Sequence, residues 1–104
     1  MSRTKLPNRR EATVISLVHR LGNGQPVTAT VGFFDDGRPA EVFLDVPRVD
    51  PMANLARDTA LLISIALQHG ATVEEMRSAV GREEDGTPHT LAGTALDALA
   101  KELP

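Results

Sequence analysis

The stretch Asp35-Asp36-Gly37-Arg38-Pro39-Ala40-Glu41-Val42-Phe43-Leu44, followed further on by Ala60-Leu61-Leu62-Ile63-Ser64-Ile65-Ala66-Leu67-Gln68-His69-Gly70, decides the fold. Asp36-Gly37 is a dipeptide favoured where both central residues of a tight turn take positive φ, so it predicts a hairpin. Pro39 has no amide proton and fits only at the start or edge of a strand. Beyond it, Ala40, Val42, Leu44 and Val46 fall on one face and Glu41, Phe43 and Asp45 on the other. Before the turn, Val27, Ala29, Val31 and Phe33 alternate with Thr28, Thr30, Gly32 and Phe34, the period of a half-buried strand. The run from Ala12 to His19 is β-branched and apolar on both faces, which predicts a strand covered on at least one side. Gly22-Asn23-Gly24 supplies the turn between these two strands. The expected sheet is a three-stranded antiparallel meander.

After the strands the period changes. Asp50-Pro51 places a capping residue before proline at the first helical position and predicts a helix running to about His69. Between Leu55 and Leu67 the only charges are Arg57 and Asp58, so this helix reads as apolar almost all round and as the buried, central core helix. Gly70 suits its left-handed cap. Thr72-Val73-Glu74-Glu75 has the spacing of a capping box and starts a short helix ended by Gly81. A polar loop from Arg82 to His89 follows. The last helix presents Leu91, Ala95, Leu96, Leu99 and Leu103 at helical spacing. The fold class expected is α+β, one domain over residues 11–104 behind a flexible basic arm of residues 1–10.

The 104 residues contain no cysteine. Disulfides, thiolate metal sites and thiyl radicals are excluded together. Only three phenylalanines supply aromatic character, too few for a platform on which bases stack. The N-terminus lacks the apolar stretch of a secretory signal and no run approaches a membrane span, so a cytoplasmic location without membrane contact is the expectation. Arg3, Lys5, Arg9 and Arg10 stand in the first ten residues with no acid among them. The remaining seven basic residues face fourteen acids, a body of net charge −7. Phosphate binding would therefore depend on the arm.

The order of blocks resembles the TSCPD domain, the small C-terminal module of vitamin B12-dependent (class II) ribonucleotide reductases, which also occurs as a standalone protein. Leu6-Pro7-Asn8-Arg9-Arg10 looks like that family's entry motif, and Val31-Gly32 with Asp36 to Phe43 looks like its sheet hairpin. Ser64-Ile65-Ala66-Leu67-Gln68-His69-Gly70 resembles its core-helix block, and Val73-Glu74-Glu75-Met76 the helix that follows. The family's name motif is threonine, serine, cysteine, proline, aspartate. Here Gly93-Thr94-Ala95-Leu96-Asp97 keeps only the threonine and the aspartate, so a thiol role is lost. A capping role survives, with Thr94 as the cap and Asp97 at the box position. The resemblance implies a fold and a reductase context, but no chemistry of its own.

Residues that can carry chemistry are few. His19, His69 and His89 are not paired at helical spacing, which reads against a metal site. Gly22-Asn23-Gly24 lacks the lysine of a phosphate loop, and Asp35-Asp36-Gly37 lacks the further ligands of a calcium loop. Glu83, Glu84 and Asp85 read as solvated loop. Ser16, Ser64 and Ser78 have no nucleophile elbow near them, and the Ser64 hydroxyl can bond a preceding helix carbonyl. Arg38 and Glu41 are either partner-binding groups or charges suited to a hairpin surface. Arg3, Lys5, Arg9 and Arg10 either contact phosphates or form a solubilising tail. No catalytic, cofactor-binding or metal residue is expected. The leading reading is a non-catalytic accessory module that binds a reductase chain, a second copy of itself as a homodimer, or a nucleotide or nucleic acid phosphate. A nucleic-acid-binding protein using the arm and the hairpin is the alternative, and a small enzyme ranks third.

Overall fold

The computed structural model describes residues 12–18, 26–46 and 51–102. Strands β1 (Ala12–Val18), β2 (Pro26–Phe33) and β3 (Pro39–Asp45) are followed by helices α1 (Pro51–Gln68), α2 (Val73–Ala79) and α3 (Leu91–Glu102). The sheet has the order β1-β2-β3 with both pairings antiparallel, the expected α+β meander. The basic arm, Gly22-Asn23-Gly24, Asp50 and Leu103 lie outside the described residues.

One face of the sheet carries the core. Val27, Ala29 and Val31 of β2 and Ala40, Val42 and Leu44 of β3 are buried there, joined by Val46. The register sets Val31 against Val42 and Ala29 against Leu44, so the apolar rows run straight across the strands. Ala56, Ala60, Ile63 and Leu67 of α1 close over β3, spaced to fall on one side of a 3.6-residue period. The two alanines let the helix axis approach the sheet. Leu91, Ala95, Leu96 and Leu99 of α3 complete the core beside them, as their spacing predicts.

The opposite side of α1 departs from expectation. Leu55 is 61% exposed, Leu61 48% and Leu62 67%. The helix carries leucines on both sides, yet it is buried on one side only, because one layer of helices rests on one sheet face and nothing among the described residues stacks above it; Asn54, Arg57 and Asp58 share the exposed side. The outer sheet face is similarly open at its centre. Val14, Thr30 and Phe43 form one row across the three strands, with Val14 68% and Phe43 57% exposed.

The hairpin between β2 and β3 forms at Asp36-Gly37 by a different turn from the one expected. Gly37 alone has positive φ (88°), and no non-glycine residue among those described does. The Gly37 N–H donates to Phe34 O (2.9 Å) and the Phe34 N–H to Arg38 O (2.8 Å), closing a three-residue loop with a left-handed glycine at its end. Asp36 Oδ1 accepts the Arg38 N–H at 3.0 Å, which uses the aspartate locally and leaves positive φ to the glycine. Residues 83–87 repeat the device. The Gly86 N–H donates to Glu83 O (2.9 Å), the Glu83 N–H to Thr87 O (2.8 Å), and Asp85 Oδ1 accepts the Thr87 N–H at 3.0 Å, with Gly86 at φ 91°. Glu83, Glu84 and Asp85 are exposed, as a solvated loop requires, but the segment is a small ordered hairpin.

Two helix ends follow the sequence, while α2 closes at Val80, one residue before the expected Gly81. Gly70 (φ 98°) ends α1, with its N–H on Leu67 O and the Ala71 N–H on Ala66 O, the paired bonds of a Schellman cap. At α2, Thr72 Oγ1 accepts the Glu75 N–H and Glu75 Oε1 accepts the Thr72 N–H, each at 3.0 Å.

Candidate functional site

Two blocks far apart in sequence meet at the hairpin end of the sheet. Asp36, Gly37, Arg38 and Pro39 form one wall of a cleft of about 350 Å³, and Leu67 with Gly70 to Val73 forms the other. Both walls come from blocks that carry the family resemblance. Leu67, Val73 and Pro39 give an apolar floor, while Arg38 stands at the rim.

Arg38 is held rather than loose. Its Nε donates to Asp36 Oδ2 at 2.7 Å, and its guanidinium lies 5.0 Å from the centre of the Phe34 ring. The Arg38 backbone and side chain together hold the Asp36 carboxyl below its ordinary value, the backbone N–H contributing most. Both side chains are well exposed, so the pair orients the guanidinium more than it stabilises the fold. Glu41 does not join it. It sits on the outer sheet face opposite Gly32, only 9% exposed, and is absent from the cleft wall. Arg38 and Glu41 are therefore separate features and not one site. Arg3, Lys5, Arg9 and Arg10 lie outside the described residues.

Sequence reasoning missed how α1 closes the outer edge of β3. Ser64 Oγ accepts the Val42 N–H at 2.9 Å and lies 3.1 Å from Val42 O and 2.8 Å from Ala60 O, the two carbonyls between which its single proton is shared. One turn on, Gln68 Nε2 donates to Ala40 O at 2.9 Å. Two buried side chains at i and i+4 thus occupy the middle of this edge, at Val42 and Ala40, where a fourth strand would pair. The bond from Ser64 to the preceding helix carbonyl was legible; the bonds to β3 needed the helix to be placed over that edge.

A second cluster ties α2, the 82–88 hairpin and α3 together. Asp97 accepts Arg82 Nη2 on Oδ1 (2.8 Å) and Arg82 Nη1 on Oδ2 (3.0 Å), a two-pronged pair, and Arg77 Nε on Oδ1 at 2.9 Å. The Arg82 hydrogen bond is the main reason that the Asp97 carboxyl is lowered to about 2; partial burial opposes it and Arg77 adds to it. This replaces the capping role expected for Thr94 and Asp97. The helix begins at Leu91, and the Thr94 N–H already donates back to Thr90 O within the first turn. Asp97 faces the arginines instead.

Beside this cluster a cleft of about 560 Å³ separates Ile15 and Ser16 of β1 from Thr94, Asp97, Ala98 and Lys101 of α3. Among the described residues no group of three histidine, cysteine, aspartate or glutamate side chains is placed to hold a metal ion, and no helix is long and apolar enough to cross a membrane. The described residues present a cleft with an oriented arginine, a helix side with three exposed leucines and a β1 edge to which no described strand is paired.

Comparison with known families matches residues 3–103 to the TSCPD domain. No curated protein and no solved structure matches the chain.

Proposed function

The chain belongs to the TSCPD domain family, and from that premise we propose that it is a non-catalytic accessory module that works by docking on a larger protein of the ribonucleotide-reductase type. The outer face of α1 carries this reading. Leu55, Leu61 and Leu62 stand exposed on an 18-residue helix whose other side is core, and they share that exposed side with Asn54 and with Arg57 and Asp58, of opposite sign. Burying a leucine side chain is worth roughly 1.5–3 kcal/mol, so three on one face give a protein partner a strong foothold. On this reading the exposed side of α1 lies against the host protein. The absence of cysteine from the sequence supports the non-catalytic half, since neither a thiyl radical nor a reducing dithiol can form.

The test is titration of the chain into a purified class II reductase from the same genome, followed by calorimetry and co-elution. Binding that Leu55→Lys with Leu62→Lys weakens at least tenfold is the expected result. No binding at tens of micromolar, or binding indifferent to both lysines, overturns the docking reading. Turnover of a ribonucleotide by the isolated chain with adenosylcobalamin and a thiol reductant overturns the non-catalytic one. Deleting residues 1–10 separates the nucleic-acid reading: loss of salt-dependent retention on DNA or RNA with reductase binding intact would place a second activity in the arm.

A further inference from the structure

The two edges of the sheet are treated differently. On β3 the outward N–H and C=O of Val42 are taken up by Ser64 and the C=O of Ala40 by Gln68, and the strand Pro39–Asp45 also carries proline, glutamate and aspartate, residues that discourage further pairing. Among the described residues β1 has neither protection. Ala-Thr-Val-Ile-Ser-Leu-Val has no charge, no proline and no glycine, and among the described strands it pairs with β2 alone. A seven-residue uncharged, β-branched edge left open is an aggregation hazard.

The register shows which amides are open. Val42 sends its N–H and C=O to Ser64, so Val31, opposite it, points its own pair towards β1, where Thr13 stands. The alternation then turns Thr13 and Ile15 to β2 and leaves the N–H and C=O of Val14 and Ser16 facing outward. Val14 and Ser16 are also exposed in their side chains, and beside them lies the 560 Å³ cleft against α3.

We propose that this edge is completed by β1 of a second copy, antiparallel across a two-fold axis at Ile15, giving a continuous six-stranded sheet. The strand is self-complementary in this register. An axis at Ile15 pairs all seven residues, Ala12 with the second copy's Val18 and so on through the strand. It also sets each Val14 against the second copy's Ser16, the outward-facing amides meeting outward-facing amides. That yields about eight new main-chain hydrogen bonds. The two Ile15 side chains then lie side by side on the core face at the mouth of the cleft, where each is only half-buried in the single chain. This interface is separate from the α1 face invoked for a reductase partner, so either can hold without the other.

The experiment uses the full chain, which has no cysteine of its own. Sedimentation and light scattering should give twice the 11.1 kDa of one chain at tens of micromolar. Ser16→Pro removes an outward N–H without touching the β2 ladder and should weaken the dimer at least tenfold. Ile15→Cys places two thiols in a non-hydrogen-bonded pair, with Cα atoms about 4.5 Å apart and within disulfide reach, and should cross-link rapidly on mild oxidation. Thr13→Cys, four residues out of register with itself, should not. A monomer at ~100 µM overturns the proposal, and so does equal cross-linking of the two cysteine variants. If Ser16→Pro fails to fold, the cysteine pair alone decides: selective cross-linking of Ile15→Cys supports the interface, and its absence overturns it.

Discussion

Ser64 and Val42 are joined across 22 positions of sequence by a hydrogen bond of 2.9 Å from the Val42 N–H to the serine hydroxyl. A helix side chain thereby satisfies a strand amide that has no strand beside it. The contact fixes how far along β3 the helix sits, because Gln68 must reach Ala40 O at the same time. It also explains why a polar residue occupies the most apolar stretch of the chain.

Ser64→Ala should therefore destabilise the fold by about 1–3 kcal/mol, the cost of leaving a buried amide without a partner. Urea denaturation checks it. Ser64→Val, which adds volume as well, should cost more, whereas a change within about 0.5 kcal/mol for Ser64→Ala would mean that water replaces the hydroxyl and the edge is open.

Asp97 gives the fold an acid limb. Its carboxyl lies at about 2 in the folded chain against an ordinary 3.8, so the unfolded chain takes up the proton first as pH falls. The stabilisation is full above pH 3.8 and is lost as pH falls through about 2. Allowing for the 28% of the side chain that meets solvent, the contribution is about 1–2 kcal/mol. Asp97→Asn should be less stable than the parent by that amount near neutral pH, and the gap should close towards about pH 2. A gap constant across the acid range would assign the loss to packing instead.

The two sides of α1 should respond oppositely to substitution. Ile63, buried against β3, should cost about 2–5 kcal/mol as Ile63→Ala. Leu62, its exposed neighbour, should stay within about 0.5 kcal/mol as Leu62→Lys in the single chain. Thermal melting of both variants tests whether burial is one-sided.

Strand order, two of the helix caps and the core stripes were legible because they rest on local rules: alternation in β2 and β3, the Thr72 to Glu75 box, and glycine after α1. Two things were not. Leu55, Leu61 and Leu62 have the same composition whether they face a sheet or solvent, and only the number of layers in the fold separates the cases. The partners of Asp97 come from 15 and 20 positions away, so nothing in its neighbours distinguished an ion-pair acceptor from a capping residue. The second hairpin was readable in principle. Glu84-Asp85-Gly86 repeats the acid-aspartate-glycine order of Asp35-Asp36-Gly37, and the structure gives both the same bonds. The candidate cleft was half-readable: Arg38 was singled out, but its opposite wall depends on where α1 ends.

The matched turns predict matched costs. Gly37→Ala and Gly86→Ala each force a side chain into positive φ and should destabilise by about 1–2 kcal/mol, although a Cβ at either position would meet open space. Asparagine tolerates this conformation better, so Gly37→Asn and Gly86→Asn should be milder than the alanine variants when compared by urea denaturation. Equal losses for asparagine and alanine would point to a cause other than the backbone angle.

Gly93 makes a contrary prediction to helix propensity. It lies within α3, where alanine normally gains up to about 1 kcal/mol over glycine. Here a Cβ would stand 2.6 Å from Pro88 Cβ and 3.4 Å from Val80 Cγ2. Pro88 is fixed by the bridge that pairs it with Arg82, and Arg82 is itself held by Asp97 of the same helix, so neither neighbour yields easily. Overpacking of this kind costs typically 1–3 kcal/mol and should exceed the propensity gain. Gly93→Ala should thus lower the melting temperature, and more so than Ala92→Gly, an ordinary propensity loss at the neighbouring position. A melting temperature raised by Gly93→Ala would show that the 82–88 hairpin moves away from α3 without penalty, and that Asp97 does not lock it there.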